Sequence, residues 1–254
     1  LATLKARGVT IILITHKLRE IMAATDRVYV MRQGQMVAER ATAETDPEEL
    51  AELMVGRKVR LQLDKAPPHP GEVRLKAEQL GLVDRRGVRL LDDINLELRA
   101  GEIVGIAGVS GNGQTELLQV LSGIRPPSTG TLTVCGRRVD ASHAGDPAEM
   151  RDLGVAHVPE DRLRQGMVAA FRASETAILG YHEQPQFSRN FLLRQPAVGA
   201  YCAKLMERFD VRPRVPGLRS SSFSGGNQQK LALAREMAQQ PKVLLVGQPT
   251  RGVD

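Results

Sequence analysis

The stretch that decides the fold runs Ile103-Val104-Gly105-Ile106-Ala107-Gly108-Val109-Ser110-Gly111-Asn112-Gly113-Gln114-Thr115-Glu116-Leu117-Leu118. Its first five residues read as a buried strand, and a helix is expected to begin near Glu116. Between them lie three glycines and a terminal hydroxyl residue. This is the strand–turn–helix context of a phosphate-cradling loop. Glycines let the backbone wrap closely, so that successive N–H groups can face phosphate oxygens. The helix start adds partial positive charge. Thr115, as the last residue of the loop, offers a hydroxyl to a Mg²⁺ ion. The pattern departs from its consensus at one place, where Gln114 stands for lysine. Glutamine donates only neutral hydrogen bonds, and charge-assisted ones are roughly twice as strong. On its own, a glycine-rich turn without its lysine is equally a tight strand-to-helix turn.

Upstream of the loop, strands are expected near 73–80 and 94–98. Upstream again, Lys65-Ala66-Pro67-Pro68-His69-Pro70-Gly71 lies in a proline-rich stretch, 57–72, that reads as a linker. The first 56 residues have their own pattern. Val9–Thr15 (VTIILIT) is a β-branched run expected as a buried strand, with His16 directly after it. A helix is expected over 17–25 and strands over 27–31 and 35–38. Thr45-Asp46-Pro47 is expected to cap a helix over 48–54. Downstream of the loop, residues 165–240 read as mostly helical, and a last strand is expected at Val243–Val246.

Composition narrows the function classes. No apolar run in the 254 residues approaches the roughly 18 needed for a membrane span. Cys135 and Cys202 fit no metal spacing and form no disulfide framework, which suits a reduced compartment. The net charge of +6 raises nucleic acid as a partner. Acidic and basic residues are interspersed, however, and only 3% of the chain is aromatic, so a base-stacking platform is not expected. The chain opens on Leu1 in what reads as a helix already under way. It is expected to be a piece of a longer protein.

Other motifs give the loop its meaning. Phe223-Ser224-Gly225-Gly226-Asn227-Gln228-Gln229-Lys230 resembles the signature motif of ABC ATPases, in the form used by sugar and nucleoside importers. Gln248-Pro249-Thr250-Arg251-Gly252-Val253-Asp254 is similar to the end of the family's Walker B strand plus its D-loop. Ile14-Thr15-His16-Lys17-Leu18-Arg19-Glu20 resembles its switch-histidine loop, and His157-Val158-Pro159-Glu160-Asp161-Arg162 its Q-loop, with Glu160 in the glutamine's place. Met54-Val55-Gly56-Arg57 is similar to the junction that closes the first nucleotide-binding domain in tandem members. The resemblance implies a P-loop NTPase fold of the α/β class: a parallel core sheet, an antiparallel β subdomain and an α-helical subdomain.

The switch-histidine loop precedes the phosphate loop here, whereas within one domain it comes last. The expected organisation is therefore 1–56 as the tail of a first nucleotide-binding domain, 57–72 as linker and 73–254 as a second domain ending after its D-loop. By resemblance, ATP is held between the loop of one domain and the signature of the other. Gly108, Ser110, Gly111, Asn112, Gly113, Gln114, Thr115 and Glu160 would face one nucleotide, with Thr115 on its Mg²⁺. Ser224, Gly225, Gly226, Asn227 and Gln228 would serve the other, with His16 near its γ-phosphate.

The site of the second domain is depleted. Besides Gln114, Gly247 stands where the family usually places a Mg²⁺-binding aspartate, and Gln248 where it places the catalytic glutamate. A glutamine cannot take a proton from water. Residues 73–107 contain no aromatic to stack an adenine. This site is expected to bind nucleotide weakly without hydrolysis, and the chain alone to be inactive.

The resemblance implies an importer subunit at the cytoplasmic face of the membrane. Its partners would be transmembrane permease subunits and an extracytoplasmic solute-binding protein, with no nucleic acid. A nucleoside is the expected solute and a simple sugar the alternative. A soluble ABC ATPase acting on ribosomes or DNA is a second class, but it would need two intact phosphate loops and a charged inter-domain helix. A non-catalytic nucleotide sensor is a third. Finally, residues 1–56 are expected to place Val9–Ile14 in the core sheet beside Ile103–Ala107 and Val243–Val246, in a permuted domain or a swapped dimer.

Overall fold

The computed structural model describes residues 1–32, 34–58, 67, 69–109, 111–143 and 145–249. The chain divides into two compact units, Leu1–Pro67 and Pro68–Asp254, each taken here by itself.

The first unit contains α1 (Ala2–Ala6), α2 (Leu18–Ala24), β1 (Arg27–Arg32), β2 (Gln35–Ala41) and α3 (Pro47–Val55). β1 and β2 form an antiparallel hairpin. Asp46 caps α3 by accepting from the Glu49 N–H, Pro47 occupies the first turn, and Gly56 ends the helix in the left-handed region at φ 81°. Ile21, Val28, Val30 and Leu50 make a small core. The strand expected over 9–15 does not form, and Ile12 and Ile14 are 88% and 94% exposed. Residues 9–15 therefore form no strand within the first unit.

The second unit begins with two long strands, β3 (Val73–Val83) and β4 (Arg89–Arg99). α4 (Gln114–Leu121) follows the glycine loop. Next come β5 (Thr129–Val134), β6 (Arg137–Asp140), α5 (Pro147–Asp152) and β7 (Val155–Val158). The helical region holds α6 (Ala173–Thr176), a short hairpin of β8 (Ser188–Arg189) and β9 (Leu192–Leu193), α7 (Gln195–Arg208) and α8 (Gly225–Met237). β10 (Val243–Val246) closes the described part.

β4, β3, β5 and β6 form an antiparallel sheet in that order, and β10 pairs in parallel with β7. α4 presents Leu117, Val120 and Leu121 to a core shared with Leu75, Leu80, Leu132 and Val134 of the antiparallel sheet and with Val155, Val243 and Leu245. A separate core around Cys202, Met206, Phe223 and Leu231 holds α7 against α8. The antiparallel sheet, the parallel pair and the helical region are the three parts the fold class requires.

The strand expected at Ile103–Ala107 is also absent, and Ile103 and Ile106 are 85% and 53% exposed. The physical reason is common to both failures. Apolar β-branched runs become parallel strands only when neighbours accept and donate their backbone hydrogen bonds. Among the described residues β10 bonds to β7 alone, and neither the run at 9–15 nor that at 103–107 is hydrogen-bonded into a sheet.

Candidate functional site

The glycine loop leads into α4 as the sequence requires. Gly111 and Gly113 sit at φ 92° and 93°, and Gly113 is the residue that opens the helix. A β-carbon at Gly113 would meet the Leu90 carbonyl oxygen at 2.9 Å, so the position excludes side chains twice over. The Asn112 N–H donates to the Val109 carbonyl at 3.2 Å, tightening the turn. Ser110 lies outside the described residues.

The Gln114 side chain does not reach outward. Its Nε2 donates to the Val109 carbonyl at 3.1 Å, and it packs so closely on Gly108 that a side chain there would collide with it. The amide thus lies across the loop it belongs to, where a lysine would have projected a full charge.

Three elements converge on Glu160, which follows β7. Thr115 Oγ1, in the first turn of α4, donates to Glu160 Oε2 at 2.7 Å. Gln248 Nε2, just past β10, donates to Glu160 Oε1 at 2.5 Å. Gln248 holds that position from a left-handed backbone at φ 46°, a conformation uncommon for a residue with a β-carbon. Gly247 explains the geometry. A β-carbon there would meet the Glu160 amide nitrogen at 2.9 Å, Leu118 Cδ1 at 3.0 Å and Glu160 Cβ at 3.1 Å. A side chain at 247 would therefore press on Glu160, whose carboxylate lies just past β7. Thr115 Oγ1 and the Glu160 carboxylate are the hard oxygen donors that Mg²⁺ prefers, and such ions usually complete their shell with substrate phosphates and water.

The signature segment forms a second cluster. Ser224 caps α8, accepting from the Asn227 N–H at 3.5 Å and from Asn227 Nδ2 at 2.9 Å. Asn227 Oδ1 accepts from the Arg212 N–H at 2.7 Å. Gln228, buried, donates to the Ser220 carbonyl at 3.0 Å. Gly225 faces the Arg162 guanidinium so closely that a β-carbon would collide with it, and Gly226 continues the first turn. Asn227 and Gln228 are thus committed to holding the helix start, while exposed Ser224 and the opening turn remain presented.

Hydrogen bonds from two arginines tie this helix to the segment after Glu160, a link that sequence reading missed. Arg162 Nε donates to Gln228 Oε1 at 3.3 Å. At the far end of α8, Arg235 Nε donates to Glu236 Oε1 at 2.7 Å and its Nη1 to the Gly166 carbonyl at 2.8 Å. Tyr181 Oη donates to Glu236 Oε2 at 2.6 Å, completing the acceptor's partners. Burial first, and then the Glu236 charge, push the Tyr181 phenol far above its ordinary range, so it stays a donor. Half-buried His157, on β7, is held below its usual value mainly by desolvation, with Arg235 adding to that effect and Glu236 opposing it. The only signal in the sequence was two charged residues, Arg235 and Glu236, on the inward stretch of a helix.

His16 lies in the first unit, exposed at the bend before α2. Thr250 to Asp254, the D-loop of the resemblance, are outside the described residues. The structure therefore brings together Thr115, Glu160 and Gln248, and separately Ser224 to Gln228.

Residues 91–251 match the family described as ABC transporter. The chain belongs to that family. Among curated members it is 43% identical, over its whole length, to a glucose import ATP-binding protein of Haloferax volcanii, covering 46% of that protein. It is 40% identical over 97% of its length to a nucleoside import ATP-binding protein of Lactococcus lactis, covering 48% of that one. A guanosine import ATP-binding protein of Bacillus subtilis is 37% identical over 90% of the chain. The chain thus spans about half the length of these relatives. Family members of known structure share the fold. A dimeric ATP-binding cassette bound to ADP and Pi superposes at a TM-score of 0.59 with 21% identity, over 71% of this chain and 76% of that one. A nucleotide-free cassette gives 0.57 with 18% identity, over 72% and 71%.

Proposed function

We propose that the chain is part of the ATP-binding subunit of an importer that couples ATP binding and hydrolysis to uptake of a small polar solute. The observation that carries this reading is the match, along essentially the whole chain, to proteins named for nucleoside and glucose import. In it, residues 1–56 are the tail of a first nucleotide-binding domain, 57–72 the linker and 73–254 most of a second. The subunit works at the cytoplasmic face of the membrane with permease subunits and an extracytoplasmic binding protein, and nucleic acid is no partner. The solute is a nucleoside. The 43% identity to a glucose importer supports a simple sugar as the second reading.

The glycine loop of 73–254 is the weaker of two nucleotide sites and does not turn ATP over. Gln114 lies across its own loop, Gly247 offers no side chain, and Gln248 donates to Glu160 rather than accepting a proton. Mg²⁺ entering with the nucleotide would be held by Thr115 and Glu160, where it would neutralise phosphate charge. Ser224, Gly225 and Gly226 serve the opposite, competent site, with His16 beside its γ-phosphate. The test is transport. Vesicles carrying the complete subunit, its permease and its binding protein should take up labelled nucleoside only with ATP supplied inside the cytoplasmic compartment. ATP-dependent uptake of sugar but not nucleoside selects the second reading, and uptake of neither rejects both.

A further inference from the structure

The helical region carries one feature with no role in nucleotide chemistry. Ser188 pairs with Leu193 and Arg189 with Leu192 in a two-residue hairpin, turned by Asn190 and Phe191 at φ 51° and 64°. This is the backbone of a tight hairpin turn, where both central residues need positive φ and asparagine followed by glycine is the usual solution. A bulky residue in that region is an outlier. Phe191 accepts the strain and gains no burial for it. Its exposure is 104%, with Leu192 at 74% and Leu193 at 40%.

The base of the hairpin is rigid. Phe187 is 1% exposed and meets the Tyr201 ring edge-on, centroids 4.7 Å apart. The Arg194 N–H donates to the Phe187 carbonyl at 2.8 Å, closing the pin. Buried Ile178 and Val198 pack around it. An apolar tip is therefore held out on a fixed stem.

Charge says what the tip meets. Arg189 and Arg194 bracket it, both exposed, and the sequence has no acidic residue from Gln184 to Met206. Among the described residues neither arginine forms an ion pair. Two unneutralised guanidinium groups flanking an aromatic and a leucine match the layering of an anionic bilayer surface, with phosphate outside and acyl chain within. We propose that the Ser188–Leu193 hairpin is a lipid-contact element that seats Phe191 and Leu192 in an anionic headgroup layer, with Arg189 and Arg194 on the phosphates.

The experiment uses the 254-residue chain and sedimentation with vesicles of phosphatidylcholine, alone or mixed with phosphatidylglycerol. Binding is expected only to the mixed vesicles, and it should weaken as salt shortens the reach of the charges. Arg189→Gln with Arg194→Gln should lower it by about 25-fold, at roughly fivefold per arginine. Phe191→Ser with Leu192→Ser should lower it at least tenfold with the charge unchanged. All variants alter exposed tip residues, and unchanged circular dichroism confirms that they fold. Equal binding of the Phe191/Leu192 variant and the parent overturns the proposal, because the basic surface at large would then be responsible. It is also overturned if the chain binds neither vesicle, or binds only vesicles that contain an integral protein partner.

Discussion

Removing the Arg235 guanidinium should unfold the second unit far more readily than its size suggests. The Arg235 and Glu236 side chains are 5% and 6% exposed and 2.7 Å apart. In Arg235→Met the Glu236 carboxylate keeps Tyr181 as its only donor among the described residues, and the Gly166 carbonyl loses the guanidinium that met it at 2.8 Å. Breaking a buried pair by deleting one member costs about 3–5 kcal/mol, since the remaining charge stays desolvated without its counter-ion. For a unit of this size each kcal/mol lowers the melting temperature by about 2–4 °C, so a fall of roughly 6–20 °C is expected. The chain lacks tryptophan, and far-ultraviolet circular dichroism during heating and in urea is the direct assay. The pair's net worth is a separate quantity. Arg235→Met with Glu236→Leu and Tyr181→Phe replaces the whole network by apolar groups and should recover at least about 2 kcal/mol of the loss. A single variant that costs under about 1 kcal/mol would refute the reasoning, as would a triple variant as unstable as the single one.

Two further outcomes follow from the site. In calorimetric titration of the chain, Mg-ATP should bind the glycine loop more weakly than micromolar and without turnover. Glu160→Gln should strengthen Mg-free ATP binding by at least about fivefold, because a unit charge about 4 Å from a phosphate costs about 1 kcal/mol even in bulk water. Unaltered affinity would count against a Glu160 carboxylate facing the phosphates, and micromolar binding with hydrolysis in the parent against a silent site. His157 sets a pH dependence. Burial lowers its pKa in the fold, whereas the unfolded chain binds a proton near about pH 6.5. Its contribution is complete above about pH 6.5 and is lost as pH falls below that value. The urea midpoint should therefore drop between about pH 7.5 and about pH 5.5, and His157→Gln should flatten that drop. An identical slope in the variant would assign it to other groups.

Helices and hairpins were legible in the sequence because their hydrogen bonds are local. Thr45-Asp46-Pro47 marks the start of α3 from capping chemistry alone, whereas α4 begins at Gln114, two residues before the expected Glu116. The runs at 9–15 and 103–107 were read as strands from composition, but a parallel strand takes its partners from distant parts of a chain. Composition supplies no neighbour. Gln114, Gly247 and Gln248 were each visible as departures from a motif, yet the convergence of Gly247 and Gln248 on Glu160 was not. Glu160 reaches Thr115 across 45 positions and Gln248 across 88.

The sequence by itself determined the family, the order of its motifs and the loss of a lysine from the glycine loop, because each is written in residue type and spacing. Only the tertiary structure decided what crowds that site. It packed the Glu160 amide nitrogen and Cβ against Gly247, in space that a β-carbon would need, and laid the Gln114 amide back across its own loop. Spacing along a chain cannot report such exclusion, because it arises when atoms far apart in sequence compete for the same volume.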